Sequence, residues 1–85
     1  MAKLITDIYL NLIEDGDAEA MNDLGALYYT GRAGEQDYEK AAYYYDMADK
    51  AGNRQATENL GYIIMQLHIT VILLVQQRIL WLLET

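Results

Sequence analysis

Eighty-five residues make at most one small domain with a modest core. A formal net charge of −7 is repelled by phosphate backbones and argues against nucleic acid as a partner. The chain has neither cysteine nor serine and no visible acid–base pair, so the expectation is a non-enzymatic protein with no cofactor and no metal.

In chain order, the opening "MAKLITDIYLNLIEDG" breaks its apolar run with Thr6, Asp7 and Asn11, which is unlike a signal peptide and makes a cytoplasmic location the default expectation. Ala20, Leu24, Leu27 and Tyr28 then step by four, three and one, predicting a helix over about 17–30. Asp17 stands at its N-cap, and Glu19 lies in the first turn near the positive end of the helix dipole. "GRAGEQD" supplies a two-glycine loop and a second cap, Asp37. A second helix over about 38–51 places Ala41, Tyr44, Tyr45 and Ala48 on one face, and Gly52 ends it.

Shifting the chain by thirty-six positions sets Gly16 on Gly52, Ala20 on Ala56, Leu24 on Leu60 and Gly25 on Gly61. In the same register Ile5, Ile8 and Tyr9 fall on Ala41, Tyr44 and Tyr45, so residues 2–14 read as the second helix of an incomplete preceding unit. A period in the thirties points to stacked helical hairpins, each burying its apolar face on the next. The units are then 1–16, 17–52 and 53–85.

The run "AMNDLGALYYTGRAGEQDYEKAAYYYDMADKAGNRQATENLG" resembles the Sel-one-like repeat, a subclass of tetratricopeptide-like repeats. The resemblance rests on Ala20, Leu24, Gly25, Tyr28, Gly31, Gly34, Asp37, Lys40, Ala41, Tyr44, Tyr45, Ala48 and Gly52. It covers residues 17–52 and about ten residues of the next unit, with Tyr44 where the family usually has tryptophan. It implies an all-α fold, an α/α hairpin solenoid fragment that binds other proteins. On that basis Glu19, Asn22, Tyr29, Glu58 and Tyr62 would face a partner groove, and Gly25 and Gly61 would let helices approach closely.

After Gly61 the pattern stops. Leu67, Thr70 and Leu73 replace the loop glycines and the cap, so nothing halts the helix. One helix from about 54 to 83 is the simplest continuation; at roughly 45 Å it exceeds the width of a compact chain of this size, so it must bend, break or protrude. Gln66, Thr70, Gln77 and Glu84 form one narrow polar stripe, while Ile63, Ile64, Leu67, Val71, Leu74, Val75 and Leu82 cover much of the remainder. So wide an apolar face predicts self-association through those residues, a dimer in its simplest form. Recruitment of a different protein through the groove and tail is the alternative, and attachment to a membrane surface a third reading. Reading a repeat out of frame, or a recombined gene end, would produce such a change of composition; if no other frame of the coding sequence restores a repeat, that origin is excluded.

Competing chemistries find weaker support. Asp15, Asp17 and Glu19 alternate as in a calcium loop, but Ala20 and Ala26 occupy its glycine and glutamate positions. "GRAG" lacks the preceding strand and the Gly-Lys-Ser/Thr ending of a phosphate loop, and His68 has no ligand partner at a useful spacing. Tyr43–Tyr45 read mainly as packing residues. Gln66, His68, Thr70 and Gln76–Arg78 interrupt the tail as a membrane span, whereas the β-branched "HITVIL" keeps a strand open at 68–75.

Overall fold

The computed structural model describes residues 2–32 and 34–84. It contains four helices, α1 (Ala2–Glu14), α2 (Ala18–Thr30), α3 (Tyr38–Lys50) and α4 (Arg54–Glu84), and no strand among the described residues. The strand considered at 68–75 does not form. Helix α4 runs through that segment unbroken, because a helix already nucleated at Arg54 meets no glycine or proline after Gly61.

Side-chain caps start the helices. The Asp17 carboxylate accepts from the Ala20 N–H at 3.1 Å and Asp37 from the Lys40 N–H at 3.0 Å, as the sequence predicts. Asn53 does the same for α4, accepting from the Ala56 N–H at 2.9 Å. Gly31 closes α2 in the left-handed region at φ 82°, and Gly52 follows α3 at φ 93°. Asp37→Ala is expected to lower unfolding free energy by about 1 kcal/mol, read from the midpoint of chemical denaturation.

Each helix packs on the next in the chain, α1 on α2, α2 on α3 and α3 on α4. Helices α2 and α3 run antiparallel: Tyr29 meets Tyr38 at 5.3 Å near their loop, and Gly25 lies against the Tyr45 ring further along. The Asp37 N–H and the Gln36 side-chain amide donate to the carbonyls of Tyr28 and Tyr29, closing the loop. Helix α4 runs beside α2 in the same direction, with Asn22 bonded to Gln55 and Asn59 and Tyr29 bonded to Gln66. The Thr57 hydroxyl donates to the Asp49 carboxylate and ties α4 to α3.

Leu24, Ala41, Ala48 and Ala56 are fully buried, with Met21, Tyr45 and Ile63 beside them. Small residues on α3 let α2 and α4 close on it from two sides. The tyrosine run divides: Tyr45 is buried, Tyr44 stacks on Tyr28 at 5.8 Å, and Tyr43 is 60% exposed.

Of the outcomes open to the long helix, it protrudes. The molecule measures 56 × 29 × 14 Å with a radius of gyration of 16.3 Å. A compact chain of this length would have a radius of about 12 Å.

Candidate interaction surfaces

Helix α4 has two halves with different surroundings. Up to Ile63 it belongs to the packed body. Beyond it, every large apolar side chain from Ile64 to Leu83 is at least 48% exposed. Ile64, Leu67, Val71, Leu74, Val75 and Leu82 all stand on this rod, where the sequence assigns them. Ile63 does not. It is 2% exposed and packs into the core cluster with Met21, Tyr45 and Ala56, so it is removed from the candidate interface.

The expected apolar face is also too narrow. At about 100° per residue, Met65, Ile69, Ile72, Ile79 and Leu83 fall on the side opposite Leu67 and Leu74, and they are equally exposed. The rod is apolar on nearly its whole circumference, interrupted by the Gln66–Thr70–Gln77–Glu84 stripe and by His68, Gln76 and Arg78.

The residues expected to line a groove do not behave as one surface. Glu19 and Glu58 are exposed, and Tyr62 is 50% exposed. Asn22 is buried, at 4% exposure: its amide donates to Gln55 Oε1 at 3.4 Å and its oxygen accepts from Asn59 Nδ2 at 3.1 Å. It holds α2 to α4 and offers nothing to a partner. Asn22→Ala should therefore cost roughly 1–3 kcal/mol of stability in a denaturant melt, because it strips partners from amides at a buried contact.

Tyr29 is half-buried among Tyr38, Tyr62 and Gln66. Loss of surrounding water, then the neighbouring Tyr62 and Tyr38 phenols, hold its hydroxyl above the usual tyrosine range, so it stays a neutral donor. With Tyr38, Ile63, Gln66, Leu67 and Thr70 it lines a cavity of about 140 Å³. That is below the roughly 300 Å³ at which small-molecule sites usually begin. His68 is exposed, and the described residues hold no cluster of three or more side chains able to ligate a metal.

No family model, curated protein or solved structure matches this chain. The surfaces themselves carry the functional reading.

Proposed function

We propose that the chain is a non-enzymatic interaction module of stacked helical hairpins that self-associates through the apolar half of α4. The exposed rod carries this reading. Completing the burial of one of its half-exposed side chains gains on the order of 1 kcal/mol, and more than a dozen of them lie between Ile64 and Leu83. A helix apolar all round is stable when surrounded on all sides. A two-chain contact covers a single stripe of each rod, so an assembly of more than two chains fits better than the simple dimer. Absolute mass by light scattering at micromolar concentration tests this: an assembly above two chains is expected, and a monodisperse monomer refutes it.

The hairpin-repeat part of the proposal is supported by register. Helices α2 and α4 begin at Ala18 and Arg54, and α1 and α3 end at Glu14 and Lys50, each pair thirty-six residues apart, the same shift that aligns the Sel-one-like residues.

One observation favours a second reading, insertion into a bilayer. The Arg54–Glu84 helix has a mean hydropathy of 1.6 in its most apolar window, of which 6% is buried. The exposed stretch of about 20 residues is close to the span of a hydrocarbon core. Arg78 and the adjoining glutamines weigh against it, since an arginine costs roughly 2.5–3.5 kcal/mol at the centre of a spanning helix and Arg78 lies about 7 Å from that centre. Flotation with neutral phospholipid vesicles separates the two, because the assembly stays in the dense fraction and an inserted helix rises.

A further inference from the structure

Gly25 and Gly61 occupy equivalent places in α2 and α4, yet their surroundings are opposite. A Cβ added at Gly25 would lie 2.7 Å from the Tyr45 ring, whereas one added at Gly61 meets nothing within 4 Å. Leu24 is fully buried, while its counterpart Leu60 is half-buried. Helix α4 therefore has a prepared seat for a second helix, and no element among the described residues fills it.

Helix α1 shows the complementary deficit. It ends at Glu14, thirty-six residues before α3 ends at Lys50, and is likewise followed by a positive-φ glycine, Gly16 at 85° against Gly52 at 93°. The face of α3 that is covered on both sides consists of Ala41, Tyr45 and Ala48, at 0%, 3% and 0% exposure. The corresponding residues of α1 are Ile5, Tyr9 and Leu12: Ile5 is 43% exposed, Leu12 38%, and Tyr9 half-buried. Helix α1 packs on α2 as α3 packs on α4, and its other side has no helix against it that corresponds to α2 against α3.

We propose that α1 of a second copy docks on the vacant side of α4, seating Tyr9 against Gly61 as Tyr45 seats against Gly25. The two surfaces differ and lie at opposite ends of the packed body, so the contact is head-to-tail and leaves one free surface of each kind after every addition. It uses none of the residues beyond Leu67 and is separate from association through the rod.

The chain has no cysteine, which makes a directed cross-link clean. Ile8→Cys and Ile64→Cys chains, at the positions that correspond to the stacked Tyr44 and Tyr28, are mixed under a mild oxidant, with Tyr43→Cys plus Ile64→Cys as the exposed control pair. Both pairs are run in the natural tail and in a tail bearing Leu73→Glu, Leu74→Glu and Ile79→Glu. Head-to-tail docking yields several-fold more mixed disulfide dimer for the Ile8/Ile64 pair than for the control in both tails. Equal yields overturn the proposal, even where light scattering still reports an assembly through the rod. Gly61→Ala gives a second reading that does not depend on oxidation. It should weaken self-association of the tail-substituted chain severalfold in sedimentation while its helical circular dichroism is kept. Undiminished association of that folded variant also overturns the proposal.

Discussion

A chain carrying Leu73→Glu, Leu74→Glu and Ile79→Glu together is expected to have lost its association through the rod, and to have lost part of its helix as well. The three positions lie roughly 100–140° apart around the helix, so no side of the rod stays apolar. They are 55%, 59% and 51% exposed, and none touches the core formed by Leu24, Ala41, Tyr45, Ala48, Ala56 and Ile63. Burying a carboxylate without a partner costs several kilocalories per mole, and every chain in a bundle would bring three. That exceeds what the remaining apolar contacts return. Once alone in water, the segment beyond Leu67 lacks tertiary support, and an unsupported helix of that length is marginal. Light scattering should thus show the large assembly gone, leaving monomer at the lowest concentrations, while circular dichroism loses the signal of the tail and keeps that of the four-helix body. Retention of the original mass would show that the rod is not the associating surface.

The second large effect is a contrast between two glycines. In the tail-substituted chain at low concentration, Gly25→Ala should destabilise the body by roughly 1–3 kcal/mol, the usual cost of overfilling a packed core. The new methyl would sit 2.7 and 2.8 Å from two carbons of the Tyr45 ring and 3.2 Å from the Ala41 carbonyl oxygen, so the buried Tyr45 ring must shift to admit it. Gly61→Ala meets open space and should add up to about 1 kcal/mol through the higher helix propensity of alanine. The same substitution at the two aligned positions then moves the melting temperature in opposite directions, by roughly 10 °C or more in total. Equal effects would mean that the two helices are covered alike in solution.

Much of the architecture is legible before any coordinates. Asp17 and Asp37 announce the starts of α2 and α3, the 20–24–27–28 spacing gives helix α2 and two of its buried residues, Ala20 and Leu24, but not Met21, Asn22 or Gly25, and Gly52 marks the turn into α4. The uninterrupted tail follows from the missing loop glycines, and its protrusion from having too little protein to cover it. Two site residues go astray for identifiable reasons. Asn22 reads as a surface amide because its partners Gln55 and Asn59 come from another helix, and such pairing leaves no local trace. Ile63 reads as part of the rod's apolar face, yet the steps Ala56, Leu60, Ile63 of four and three also continue the core face of α4, where it sits. The second apolar side of the rod is equally legible in the helical spacing of Met65, Ile69, Ile72, Ile79 and Leu83, which the expected face omits.

Because α4 is continuous from Arg54 to Glu84, the packed body clamps the azimuth of everything projecting from it. Tyr29 grips Gln66, the first member of the polar stripe, at 3.4 Å, and so indexes the whole stripe to α2. Identical bodies gathered around a common bundle would all be turned to the same angle about their own shafts, like vanes keyed to an axle. One residue gained or lost between Ile63 and Gln66 would rotate that setting by about 100°.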